Sequence, residues 1–66
     1  MLKEFPKQIE FKSDGSILKL IQDIGTKKER MAKYKYIKSV TKMDDEIPIR
    51  LEEINRLFSS DLIKVK

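Results

Sequence analysis

The sequence predicts a small α+β domain: a curved antiparallel sheet in the order β-β-β-α-β, with one C-terminal helix packed on it. Three observations lead to this fold class: an Asp-Gly pair between two alternating runs, an alternation of lysine and tyrosine, and apolar residues at helical spacing near the C-terminal end. A chain of 66 residues is expected to form one domain, spanning residues 1–66.

The first hairpin is predicted around Asp14-Gly15, which separates the runs at residues 8–12 and 17–21. Asp-Gly suits a two-residue type I′ turn, in which both central residues have positive φ. A turn closed there places Phe11 opposite Leu18 on the apolar face. The other expected pairs are Ile9 with Leu20, Glu10 with Lys19 and Ser13 with Ser16.

Residues 16–25 also fit a helix, which is the competing interpretation. Apolar residues from Ile17 to Ile24 share one helical face, Ser16 is a suitable N-cap, and Gly25 follows the end. Residues 26–29 would then form a capping box that opens a second helix, giving a pair that resembles a helix-turn-helix. We favour the hairpin, although the periodicity of such short apolar runs does not separate the two alternatives.

The remaining elements are predicted from residue 30 onward. Residues 30–41 favour a third strand because β-branched and aromatic residues alternate with lysines, and residues 47–49 are expected to be extended around Pro48. Residues 51–58 predict a helix with acids in its first turn, and residues 62–65 a last strand. The expected core comprises Phe11, Leu18, Leu20, Tyr36, Ile54 and Phe58.

Composition narrows the classes of function. The chain has no Cys and no His, so disulfides and thiolate zinc sites are excluded, and the usual general base and soft nucleophile are missing. Three consecutive acids at residues 44–46 do not point in one direction, and they predict a solvated loop rather than a metal site. We therefore expect neither an enzyme nor a bound cofactor or metal.

The sequence also predicts the protein's setting. No stretch approaches the roughly 20 apolar residues of a membrane span, and the first eleven residues are too charged for a signal peptide. A cytoplasmic protein without a membrane partner is expected. Because a chain of this length forms only a small core, a partner chain can supply part of the packing. A homodimer is one such arrangement.

Charge is spread unevenly, which indicates an anionic partner. Residues 1–42 carry a net charge of +6 and residues 43–66 a net charge of −2. Tyr34 and Tyr36 are placed in the core, because the reverse arrangement would bury two unpaired ammonium groups. The opposite face then gathers Lys12, Lys19, Lys33 and Lys35 for contact with nucleic-acid phosphates. Supporting contacts are expected from Lys27, Lys28, Arg30 and Lys38.

Two alternatives stay open. The lysines are also compatible with an ordinary solvated surface. The same hairpin register places Ile17 and Ile21 among the lysines, where they either lie beneath Leu2 and Phe5 or form an apolar patch. In the second case the protein is an interaction module, such as an inhibitor or adaptor, that docks through this patch or through a strand edge.

Overall fold

The computed structural model of the chain describes residues 2–66 and contains five strands and one helix. The sheet is antiparallel throughout, with strand order β4-β3-β2-β1-β5, and the helix lies between β4 and β5 in the chain. The predicted fold class is therefore confirmed, and the extended segment around Pro48 is a fourth strand. The elements are β1 (Gln8–Phe11), β2 (Ile17–Asp23), β3 (Met31–Lys38), β4 (Glu46–Arg50), α1 (Leu51–Ser59) and β5 (Ile63–Val65).

The hydrophobic core lies between α1 and one face of the sheet. Ile54 in α1 is fully buried and packs in one cluster with Leu18 and Tyr36, as predicted. Phe11 and Leu20, also predicted to be core, are half-buried and pack against the edge of this cluster. The other buried members of the cluster are Ile9, Ala32, Tyr34 and Ile63.

The prediction that Phe58 belongs to the core is wrong, because its exposed fraction is 42%. Phe58 is one helical turn after Ile54 and therefore shares its face of α1. The buried residues of α1 are Leu51, Ile54 and Asn55, and Leu57 is half-buried against the core, so the helix is most deeply buried over its first two turns. Helical spacing identifies the apolar face correctly but does not show where the sheet beneath it ends.

The turn between β1 and β2 differs from the predicted one. Gly15 has φ of 76°, as expected. Ile9, however, pairs with Leu18 and not with Leu20, so the register is shifted by two residues. The connection is a four-residue loop at 12–15. The Asp14 carboxylate accepts the backbone N–H of Ser16 at 2.9 Å, which lowers the pKa of Asp14. This local bond favours an Asx turn over type I′. Because a shift of two keeps every side chain on its own face, the predicted apolar face survives.

The helical alternative for residues 16–25 is also wrong, since residues 17–23 form β2. Half of the expected capping box nevertheless exists, because the Thr26 hydroxyl accepts the N–H of Glu29 at 3.2 Å. Here the bond closes a tight loop between β2 and β3, and the Thr26 N–H donates to the Glu29 carbonyl at 2.8 Å. The same side-chain chemistry can serve a turn as well as a helix start.

Tyr34 anchors the N-terminal segment to the core. Its hydroxyl donates a buried hydrogen bond of 2.7 Å to the carbonyl of Pro6, and desolvation raises the pKa of Tyr34 to about 12. The Phe5 ring packs beside it at a centroid separation of 6.5 Å. The placement of the tyrosines in the core is thus confirmed, and the intervening lysines lie on the opposite face of β3.

The end of α1 is closed by two backbone bonds. Leu62 N–H donates to the carbonyl of Leu57, and Asp61 N–H donates to that of Phe58, both at 3.1 Å. This is a Schellman motif, in which the residue after the C-cap takes the left-handed conformation. Asp61 fills that position with φ of 59°, where glycine is the usual residue.

The Asp61→Gly variant should therefore be more stable than the Asp61→Ala variant. We expect its free energy of unfolding to be higher by about 1 kcal/mol. Both substitutions remove the exposed ion pair with Lys12, so the difference isolates the cost of positive φ. Urea unfolding of the two variants measures it. Equal midpoints would show that this position carries no conformational strain.

Candidate nucleic-acid interface

The sheet face opposite α1 carries six lysines, which we call the lysine face. The strand registers place lysines on β2, β3 and β5 on this side, because their neighbours in the chain point into the core. In one cross-strand row, Lys19 pairs with Gln8 on one side and with Lys35 on the other. The six members are Lys19, Lys33, Lys35, Lys38, Lys64 and Lys66.

The direct pairing of Lys19 with Lys35 is electrostatically unfavourable. Residues opposite one another on adjacent strands have Cβ atoms about 5 Å apart, and like charges there are destabilising. Within residues 2–66, no carboxylate oxygen lies within 4.0 Å of the Lys19 ammonium. A bound anion between the two lysines would relieve this repulsion.

Acids from the β3–β4 connection reach the other part of the lysine face. The Lys33 ammonium lies 3.5 Å from a Glu46 carboxylate oxygen, and that of Lys35 lies 3.7 Å from one of Asp44. The acidic loop is solvent-exposed, as predicted, and two of its acids also pair with lysines. Both pairs are solvent-exposed, so each contributes little to stability and can open to admit another anion.

Lys12 follows the end of β1, at the margin of the lysine face. It lies in the loop at 12–15, and its ammonium donates to the Asp61 carboxylate at 2.5 Å, which lowers the pKa of Asp61. The Lys12 N–H donates to the Leu62 carbonyl at 3.1 Å, which continues the pairing of β1 with β5 and keeps Lys12 on the same side as Glu10, where Asp61 already neutralises it. Of the predicted four, Lys19, Lys33 and Lys35 lie within the face and Lys12 lies at its margin.

The supporting residues divide between two places. Lys38 ends β3 beyond a register shift next to Tyr36, which interrupts the alternation, and its pairing with Ile17 puts it on the lysine face. Lys27, Lys28 and Arg30 lie in the loop between β2 and β3, beyond the strands that carry that face. The Arg30 guanidinium lies over the Phe5 ring at 5.4 Å and 4.0 Å from the Asp23 carboxylate.

Lys64 and Lys66 were missed by sequence reasoning. They join the lysine face because β5 pairs with β1, which places Lys64 opposite Glu10 and Lys66 opposite Gln8. The alternation Ile63-Lys64-Val65-Lys66 shows which residues share a face. It does not show beside which strand β5 lies.

Ile17 and Ile21 are not covered by the N-terminal segment, so the expectation of a cover by Leu2 and Phe5 is wrong. Leu2 is held on the helix side of the sheet, where Asn55 accepts its N–H at 2.6 Å and donates to its carbonyl at 3.0 Å. Ile17 is half-buried by its neighbours, and Ile21, at an irregularity in the β2 ladder, is 45% exposed. A single exposed isoleucine is common on protein surfaces.

Both outer strands of the sheet carry features that oppose strand addition. Between β3 and β4, hydrogen-bonded pairs of residues alternate with pairs that are not hydrogen-bonded, and Pro48 belongs to a pair of the second kind. Its backbone nitrogen, which has no hydrogen to donate, therefore faces away from β3. The other outer strand, β5, has only three residues. A proline and a very short edge strand are both known protections of sheet edges.

Comparison with known proteins identifies no relative. No protein-family model, curated protein or solved structure matches the chain. Among residues 2–66, no helix is long and apolar enough to cross a membrane. Function is therefore inferred from the geometry of the lysine face.

Proposed function

We propose that the protein is a small accessory or regulatory binding protein that contacts nucleic-acid phosphates through the lysine face. The direct opposition of Lys19 and Lys35 is the observation that carries this proposal. Two lysines that are paired directly across adjacent strands repel each other in the free protein, and they attract a phosphate that approaches both. Binding then removes a repulsion as well as forming new contacts.

The chemistry of the face favours phosphates over bases. Lysine ammonium groups are compact point charges that suit phosphate oxygens, whereas base edges are usually read by planar bidentate side chains. Tyr34 and Tyr36 are buried and cannot stack on bases from β3. Binding should consequently be largely independent of sequence and steeply dependent on salt.

Replacing Lys33 and Lys35 together by glutamate is the direct test. At about 50 mM salt, the double variant should bind nucleic acid at least about 100-fold more weakly, because it removes two phosphate contacts and adds two repulsive charges. Fluorescence anisotropy with a labelled oligonucleotide measures the affinity, and circular dichroism verifies the fold. Lys33→Gln with Lys35→Gln is a milder second variant.

Two controls accompany this experiment. Lys3→Glu with Lys7→Glu makes the same change in net charge before β1 begins, and it should weaken binding far less. Asp44→Asn with Glu46→Gln releases Lys33 and Lys35 from their acidic partners and should strengthen binding, while asparagine tolerates the positive φ of residue 44. Equal losses in both glutamate variants would indicate a general charge effect and contradict a dedicated face.

The second candidate function is a protein-interaction module, and one observation favours it. A cleft of about 370 Å³ between β4 and α1 is lined by apolar side chains that include Phe11, Ile47 and Leu57. An apolar interface there would be nearly insensitive to salt, unlike phosphate binding. Salt-independent binding to a protein, together with no binding to nucleic acid near 50 mM salt, would favour this candidate.

A further inference from the structure

The geometry points to a double-stranded nucleic acid as the ligand, with both backbones that border one groove contacted at the same time. This inference rests on the proposed function and specifies its substrate. It depends on how the six lysines are distributed over the strands, and not only on their number.

The lysines form two strips. The first strip, on β2 and β3, contains Lys19, Lys33, Lys35 and Lys38. The second, on β5 and the residue after it, contains Lys64 and Lys66. Between them lies β1, which presents Gln8 and Glu10 on this side and has no lysine. Since neighbouring strands are about 4.8 Å apart, β5 lies two spacings from β2 and three from β3, so the strips are separated by roughly 10–14 Å.

This separation suits two phosphate chains better than one. A single strand offers one line of phosphates, which can follow either strip but must pass the Glu10 carboxylate to reach the other. In a duplex, two backbones border each groove, and the major groove of B-form DNA is about 12 Å wide. With one backbone on each strip, Gln8 and Glu10 face the groove, where no phosphate lies.

The lysine face also lacks what single-strand binding requires. Proteins that hold unpaired nucleotides commonly stack the bases on exposed aromatic side chains. Among the described residues, every aromatic ring lies in or against the core or on α1, and none lies on the lysine face. Paired bases need no such platform, because they already stack on one another.

The test compares four ligands of one sequence at several salt concentrations. They are a short duplex DNA, the same duplex as RNA, a single strand of the DNA and a single strand of the RNA. The wild-type protein should bind one or both duplexes at least about 10-fold more tightly than the single strands. Lys64→Glu with Lys66→Glu should remove this preference by weakening duplex binding about 10-fold, while single-strand binding changes less than about twofold. Lys33→Glu with Lys35→Glu should weaken both.

Three outcomes would overturn the inference. Equal wild-type affinity for duplex and single strands contradicts it, as does an unchanged duplex preference in the β5 variant. Binding to vesicles of anionic lipid as tightly as to the duplex contradicts it too, since it would indicate a membrane surface. In the first two, loss of nucleic-acid binding by the Lys33 and Lys35 variant would leave the proposed function intact. The third outcome refutes the proposed function as well, and so does the absence of wild-type binding to any of these nucleic acids.

The β5 variant needs its own control, because β5 is short. Lys64→Gln with Lys66→Gln removes the charges without adding repulsion and should show the same loss of duplex preference to a smaller extent. Urea unfolding of both variants verifies that β5 remains paired with β1. The RNA and DNA duplexes separate the two sources of a paired backbone, whose grooves differ in width.

Discussion

Ile54→Ala is expected to lower the free energy of unfolding by about 2–5 kcal/mol. Ile54 is fully buried at the centre of the contact between α1 and the sheet, where it packs in one cluster with Leu18 and Tyr34. Truncation removes three carbon atoms from this cluster and leaves a cavity that the surrounding strands fill only in part. For a chain of 66 residues, we expect a total stability near the lower end of the usual range of about 5–15 kcal/mol, so this loss approaches global unfolding.

Phe58→Ala is the matched control on the same helix face. It removes more atoms than Ile54→Ala, but 42% of the Phe58 side chain is already in water, so the expected cost is only about 1 kcal/mol. Urea unfolding followed by circular dichroism gives both values. If Phe58→Ala proved the more damaging substitution, α1 would pack on the sheet through its last turn, contrary to the structure.

The contrast between these two residues shows what helical spacing can predict. The recurrence of Leu51, Ile54 and Phe58 identified the helix and its apolar face, because period 3.6 follows from backbone geometry. Whether a residue on that face is covered depends on the extent of the sheet beneath it. That extent is set by the pairing of distant strands, which no local pattern records.

The turn at Gly15 teaches a similar lesson at shorter range. Its positive φ was predicted correctly, because aspartate followed by glycine favours a reversal at the glycine. The loop length was not predicted correctly. The Asp14 carboxylate accepts the N–H of Ser16, and this bond favours a longer connection. The face assignment of Lys19 was right despite the wrong register, since the shift was an even number of residues.

The candidate site was predicted in part for the same reasons. Lys33 and Lys35 were assigned to one face by alternation along their own strand, a local property. Lys64 and Lys66 joined that face only through the pairing of β5 with β1, residues more than fifty positions apart in the chain. The two-strip arrangement is therefore a tertiary property that could not be predicted from the sequence.

A second large effect is expected in the loop between β2 and β3. The Gly25 N–H donates to the carbonyl of Met31 at 2.8 Å and to the Asp23 carboxylate at 3.2 Å, so Gly25 closes the loop. A Cβ atom here would overlap the backbone N of Met31 and the carbonyl oxygen of Glu29. Both are main-chain atoms, which cannot move aside as a flexible side chain does.

Gly25→Ala should consequently lower the free energy of unfolding by about 1–3 kcal/mol, because the loop must open to accommodate the methyl group. The distortion should reach α1, since the Leu51 N–H donates to the carbonyl of Arg30 at 3.0 Å. Backbone amide shifts should therefore change over residues 24–31 and at the start of α1. Gly15→Ala is the control: no atom lies within 4 Å of the added methyl, so only positive φ costs energy, about 1 kcal/mol. If Gly25→Ala were as well tolerated as Gly15→Ala, with unchanged shifts at Leu51, the close approach of Gly25 to Met31 would be wrong.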